Sequence, residues 1–215
     1  MAAVSRLRRW LDPPRPAFYN PAHRRDEIPW GRRNLYIGGF GNRIAGSINV
    51  DLFAAPGVDV VCDAERLPFR DEVFDRVDCD AVVEHTPHPE RMVAEIVRCL
   101  KSGGGLHLAA PFCHPFHQYP NDYYRFSLEG LRELVRPLEV VSTGWITGPT
   151  STLVIFFIEY VKLWLPARWM RQAAWVGLGW LLSPLPYLDW FLLRSPDARQ
   201  LGNHGWVMAR KPPKA

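Results

Sequence analysis

Three aspartates stand where short apolar runs end: Asp51 after SINV (47–50), Asp63 after VDVVC (58–62) and Asp80 after RVDC (76–79). A further run, NLYI (34–37), ends in Gly38-Gly39-Phe40-Gly41. A carboxylate only accepts hydrogen bonds, and its two oxygens can serve two neighbouring hydroxyls such as the vicinal pair of a ribose. A second carboxylate can take the exocyclic amine of a purine, and a glycine turn lets the backbone approach a ligand closely. Beyond the fourth run, His85 and the loop PFCHPFHQYPNDYYRF (111–126) supply His114, His117, Asp122, Tyr123 and Arg125. Histidine exchanges protons near neutrality, so Asp80, His85, His114 and His117 are the candidates for a catalytic part. The competing reading makes His85 a partner of loop backbone, and Asp122 with Arg125 a salt bridge that fixes the loop. Cys113, His114 and His117 also offer metal-ligand atoms, but the H-P-F-H spacing fits no familiar zinc signature, so no metal is assigned.

The elements that must position these groups follow from patterning. The apolar runs at 34–37, 47–50, 58–62, 76–79 and 106–110 are bounded by turn residues and read as buried parallel strands. Between the last two, Pro89 opens a helix whose stripe is Met92, Val93, Ile96, Val97 and Leu100, and the run Gly103-Gly104-Gly105 ends it. Ser127 is an N-cap for a second helix carrying Leu128, Leu131, Leu134 and Val135, stopped by Pro137. Residues 139–143 and 206–209 read as the last strands. The expected fold is α/β, a doubly wound, mostly parallel sheet, where ligands sit outside the carboxyl ends of the strands.

Residues 146–200 interrupt that pattern before the last strand. LVIFFIEYVKLWL (153–165) and AAWVGLGWLL (173–182) are both shorter than the roughly 20 apolar residues of a membrane span. Glu159, Lys162, Pro166, Arg168 and Arg171 break them up, and Trp164, Trp169, Trp175, Trp180 and Trp190 suit a water–lipid boundary. The expectation is a helical hairpin lying in the membrane interface; a lid on the sheet or a homodimer interface are the alternatives. The organisation is therefore a basic Pro/Arg-rich arm (1–30), an α/β core (31–145), the apolar insertion (146–200), and a last strand with a basic tail (201–215).

Composition limits the function classes. With 215 residues, 47% hydrophobic and 22% charged, the chain can bury a core and is not a disordered polymer. The net charge of +4 is concentrated at the start of the chain, where eight arginines, six of them in the arm, face three acidic residues before position 34. Such an arm suits anionic lipid head groups or is a solubilising, poorly ordered tail, and nucleic acid is disfavoured because no binding motif accompanies it. Cys62, Cys79, Cys99 and Cys113 show no C-x-x-C spacing, which suits a reducing cytoplasm, and no signal peptide is expected.

INVDL (48–52), DAERLPF (63–69), FDRVDCDAVVEH (74–85) and CLKSGGGLHLAAPF (99–112) occur in an order in which the stretch 35–134 resembles class I S-adenosylmethionine-dependent methyltransferases, particularly their small type. The resemblance implies a seven-stranded Rossmann-like sheet of order 3-2-1-4-5-7-6 with an antiparallel last strand. It places Gly38, Gly39 and Gly41 on the methionine part of S-adenosylmethionine, Asp51 on the ribose, Asp63 and Ala64 on the adenine, and Asp80 through His85 at the reacting centre. The usual D/E-x-G-x-G-x-G turn is altered here, and the seven residues 42–48 are too short for the helix that normally follows it. The expected activity is methyl transfer to a small, glycan or lipid-linked acceptor at the inner, cytoplasmic face of a membrane. The alternative is a binding or scaffold protein that has lost the cofactor.

Overall fold

The structure is a computed structural model that describes residues 27–39 and 44–214. These form two compact units, one made of 27–112, 116–144 and 204–214 and the other of 113–115 and 145–203.

The first unit contains the sheet. Its strands are β1 (Asn34–Ile37), β2 (Ser47–Asp51), β3 (Val60–Val61), β4 (Phe74–Asp80), β5 (Leu100–Pro111), β6 (Glu139–Thr147) and β7 (His204–Arg210), in the order β3-β2-β1-β4-β5-β7-β6. The strands β3, β2, β1, β4 and β5 pair in parallel, and β7 runs antiparallel to β5, with Leu108 opposite Val207. This is the expected α/β architecture. The glycines 103–105 lie inside β5, which begins directly where the preceding helix ends. Gly105 is required there: a Cβ on it would lie 2.3 Å from Cγ2 of Ile28.

Two helices, α1 (Pro89–Cys99) and α2 (Leu128–Leu134), cover the sheet. The hydroxyl of Ser127 accepts from the Gly130 amide at 3.0 Å, so α2 starts at the residue that the sequence marks as its cap. Met92, Ile96, Leu131 and Val135 share one fully buried cluster with Val77, Cys79, Leu106 and Leu108. Successive strand residues point to opposite faces, so both helices pack on the same face. Among the described residues, no helix connects β1 to β2, β2 to β3, or β3 to β4.

The opposite face carries a different cargo. Arg76, Asp78 and His107 are all buried there. The Arg76 guanidinium forks onto Asp78 through Nε (2.7 Å) and Nη2 (2.9 Å), donates through Nη1 to the Ile28 carbonyl, and lies 4.3 Å from the centre of the Trp30 ring. A buried ion pair survives only when its remaining donors are met, and the segment from Ile28 to Trp30 meets them. Ile28, within the stretch that composition groups with the arm, is therefore part of the folded unit.

The second unit is built on α3 (Pro149–Leu163), α4 (Arg168–Leu182) and a short α5 (Asp189–Leu192). Gly148 offers no capping side chain, so the first amides of α3 need another acceptor. Asp189, fully buried, supplies it: Oδ2 accepts from the Gly148 and Ser151 amides (3.1 and 3.0 Å) and Oδ1 from Thr150 (2.7 Å). Much apolar surface stays exposed, with Leu163, Trp164, Trp169 and Leu181 all more than 70% accessible. No helix among the described residues is long and apolar enough to cross a membrane.

Candidate active site

A cavity of about 320 Å³ lies at the carboxyl ends of β1, β2 and β4. Its wall is made by Gly38, Asp51, Asp63, Ala64, Val82 and His85, and its rim by Phe53 and Tyr119, whose rings meet edge to face at 5.7 Å. The cavity thus brings together six residues the sequence singles out, Gly38, Asp51, Asp63, Ala64, His85 and Tyr123. Gly39 is buried at the end of the β1 run, and Gly41 lies outside the described residues.

Each wall residue is positioned by its strand end. Gly38 continues β1, its amide donating to the Val50 carbonyl at 2.9 Å, and then turns with a φ of +83°. Asp51 closes β2. The residue is 7% exposed, and its Oδ1 accepts from the Phe53 amide at 3.1 Å, which fixes the turn that carries the rim ring. Asp63 holds its own turn in the same way, accepting from the Glu65 amide at 2.9 Å. Beyond Asp80, Ala81 takes a φ of +54°, a conformation that non-glycine residues adopt at a cost of about 1–2 kcal/mol and that is often found beside functional sites.

The motif DAERLPF is held by a residue the sequence does not single out. Arg98 on α1 donates to the carbonyls of Leu67 (3.0 Å) and Phe69 (2.8 Å), to Asp71 (2.7 Å) and, in a two-pronged contact, to Glu95 (2.8 Å on both prongs). Glu95 in turn accepts from the Leu67 amide at 2.9 Å. The loop behind Asp63 and Ala64 is therefore clamped to α1.

The electrostatics keep two neighbours neutral. Burial pushes the Cys62 thiol up, helped by Asp63 and Asp51, so it stays protonated. Desolvation and the Asp51 carboxylate likewise raise the Tyr119 hydroxyl. Asp122 goes the other way: the Arg125 guanidinium holds its carboxyl well below the usual range, and the His117 amide donates to it at 2.7 Å. The salt bridge that the sequence offers as one reading of the 111–126 loop is present, with Nη2 of Arg125 at 2.7 Å from Oδ2 of Asp122.

The four catalytic candidates part company. His85 lines the cavity, its Nδ1 against the Asn121 carbonyl. His117 meets it, the two rings edge to face at 4.9 Å. His114 belongs to the second unit, where its Nδ1 pairs with Oδ1 of Asn203 at 2.9 Å. Asp80 ends β4 half-buried and is not among the residues of the cavity wall. Sequence reasoning passes over Asn121 and Tyr119, and it includes Glu84 only as part of the run from Asp80 to His85, with no role of its own.

The residues of the wall fit S-adenosylmethionine. Two acceptor-only carboxylates stand along a wall otherwise made by Val50, Leu52, Ala64 and Val82, which suits hydroxyls and an amine borne on a flat apolar ring.

Comparison with known proteins agrees. Residues 47–108 match a family described as a methyltransferase domain. A demethylmenaquinone methyltransferase of Renibacterium salmoninarum is 26% identical over 141 residues, 63% of this chain and 55% of the relative. A ubiquinone/menaquinone biosynthesis C-methyltransferase of Bordetella avium is 50% identical over 46 residues, 21% of this chain and 18% of its own. The chain thus spans about half the length of the first of these. Among solved structures, the [4+2]-cyclase SpnF superposes with a TM-score of 0.56 at 17% identity, covering 87% of this chain and 78% of that one. Phosphoethanolamine N-methyltransferase 2 of Haemonchus contortus, solved with S-adenosyl-L-methionine, gives 0.53 at 21% identity over 86% and 49%. Residues 47–108 thus match the methyltransferase-domain family, and the strand order of the sheet unit is that of the class I S-adenosylmethionine-dependent methyltransferase fold.

Proposed function

We propose that the chain transfers the methyl group of S-adenosylmethionine to a small or lipid-linked acceptor, glycans included, at the inner face of the cytoplasmic membrane. The observation that carries the reading is the cavity itself, with Asp51 and Asp63 on one wall and His85 with Tyr119 and Tyr123 around the rest. On this reading Asp51 holds the ribose, Asp63 and Ala64 the adenine, and the turn at Gly38–Gly39 the methionine part. The cofactor supplies a methyl group on a positively charged sulfur, ready for in-line displacement. The chain's own work is alignment and exclusion of water, in which the aromatic rim of Phe53 and Tyr119 takes part. Calorimetric titration of the full chain with S-adenosylmethionine tests this: saturable one-to-one binding supports it. A folded chain that releases no heat supports the non-catalytic scaffold instead.

The lipid-linked class of acceptor is favoured by two observations. Two curated relatives carry the name demethylmenaquinone methyltransferase, and the quinone is the kind of acceptor this reading favours. The helical unit exposes Leu163, Trp164 and Trp169 beside Arg168 and Arg171, the combination that lies in a lipid interface over anionic head groups. Flotation with phosphatidylglycerol vesicles, comparing the full chain with a Leu163→Gln/Trp164→Gln/Trp169→Gln variant, tests the membrane contact. Equal flotation removes it, and a concentration-dependent dimer that the triple change dissolves points to the homodimer surface instead.

A further inference from the structure

We infer that Glu84, His85 and His117 form a binding site for one divalent transition-metal ion at the acceptor side of the cavity. The argument begins with Glu84. Its carboxylate is wholly buried in the 3₁₀ turn Val83–His85, and among the described residues no hydrogen bond reaches either oxygen. A buried carboxylate without a donor is costly, and a structure that retains one needs a cation for it.

Two imidazoles face it. Nε2 of His85 stands 3.7 Å and Nε2 of His117 3.8 Å from Oε1 of Glu84, and the three ligand atoms lie within 4.8 Å of one another. Tetrahedral coordination with bonds of about 2.1 Å separates ligand atoms by about 3.4 Å, so a small rotation of the rings closes the set. The tautomers are arranged for it. Nδ1 of His85 meets the Asn121 carbonyl, which can only accept, so Nδ1 carries a proton and Nε2 is the ring nitrogen that faces Glu84 and can serve as the ligand atom. Nδ1 of His117 is turned the same way, 3.6 Å from Oδ2 of Asp122, a carboxylate kept charged by Arg125. Oxygen acceptors behind the outer ring nitrogens are what orient histidines that ligate metals.

The loop is built to hold this geometry. The Glu84 carbonyl accepts from the Tyr123 and Tyr124 amides (2.9 and 3.3 Å), which ties the segment carrying His117, Asn121 and Asp122 to the 3₁₀ turn. Two imidazoles and one carboxylate favour zinc, manganese or ferrous iron over calcium or magnesium. Three protein ligands leave a position for an oxygen, and His85 places the site at the cavity wall. An acceptor oxygen bound there is a consequence that rests on the methyl-transfer reading, whereas the site itself does not. Cys113 and His114 are absent from the set, so the metal that the H-P-F-H spacing does not suggest arises from groups 33 residues apart instead.

The test uses the untagged full chain stripped with a chelator, in the absence of S-adenosylmethionine. Titration with zinc against a chromophoric competitor, and with manganese by electron paramagnetic resonance, is expected to show one equivalent bound. His117→Ala and His85→Ala are each expected to weaken it at least tenfold, while His88→Gln, which changes a histidine outside the set, leaves it unchanged. His117 sits half-exposed on a loop, so its variant keeps the fold and decides the matter if His85→Ala does not. No saturable binding, or equal binding by wild type and His117→Ala, overturns the site. Separate titration with S-adenosylmethionine shows whether the cofactor reading stands or falls independently.

Discussion

Replacing Gly38 by alanine probes the cavity wall in two ways that can be separated. A residue with a Cβ at φ +83° is in a left-handed conformation, which costs about 1–2 kcal/mol. The added Cβ would also lie 1.9 Å from Cγ2 of Val82 across the cavity wall, and overpacking of that kind costs about 1–3 kcal/mol. Gly38→Ala should therefore destabilise the sheet unit by about 2–5 kcal/mol. Val82→Ala alone removes two methyl groups from a half-buried side chain and should cost about 1 kcal/mol. The Val82→Ala change deletes the atom that the new Cβ strikes, so the double variant should lose only the backbone part beyond that. Its cost should fall short of the sum of the single changes by about 1–3 kcal/mol. Urea unfolding followed by tryptophan fluorescence and far-ultraviolet dichroism, with the slope compared across the four proteins, measures this cycle. A single-variant cost below about 0.5 kcal/mol, or a cycle that is additive, would refute the described packing of β1 against the turn after β4.

Four further outcomes follow. Asp51→Asn removes one charge-assisted acceptor worth about 1.5–3 kcal/mol, so calorimetric affinity for S-adenosylmethionine should drop about 10- to 100-fold with the thermal midpoint little changed. Arg98→Lys cannot reproduce the five-way fork over Leu67, Phe69, Asp71 and Glu95, and should cost about 1–3 kcal/mol in urea unfolding. Asp189→Ala should destabilise the helical unit by about 2–4 kcal/mol, read by far-ultraviolet dichroism, because the amide of the capping residue Gly148 and two amides of α3 lose their acceptor together. The Asp122 carboxyl has its folded pKa depressed by Arg125, so its stabilisation is complete above the unfolded value near 3.9 and is lost as pH falls below it. Arg125→Gln should therefore lower the thermal midpoint at pH 6 and flatten its fall between about pH 4 and 2.

Much of this was legible along the chain wherever one residue type acted through its immediate neighbours. Ser127 caps α2 because its hydroxyl reaches an amide three residues on, and the apolar runs became strands because each ends at a turn residue. Asp51 and Asp63 were legible for the same reason, each closing its own turn two residues ahead. What stayed hidden depends on partners far apart in sequence. Asp189 caps a helix about 40 residues upstream, Arg98 clamps a loop about 30 residues upstream, and His117 meets Glu84 across 33. Gly103–Gly105 reads as a break in the chain, yet it is strand, because Gly105 must make room for Ile28.

That last contact has a practical bearing on dissection of the chain. Arg76 depends on the Ile28 carbonyl, and the hollow over Gly105 depends on the Ile28 side chain. A truncation placed at residue 31, where the composition changes, would strip a buried guanidinium of a partner and uncover the middle of the sheet. The shortest fragment able to fold around the cavity has to begin no later than Glu27, whose carboxylate already receives the hydroxyl of Ser142 on β6.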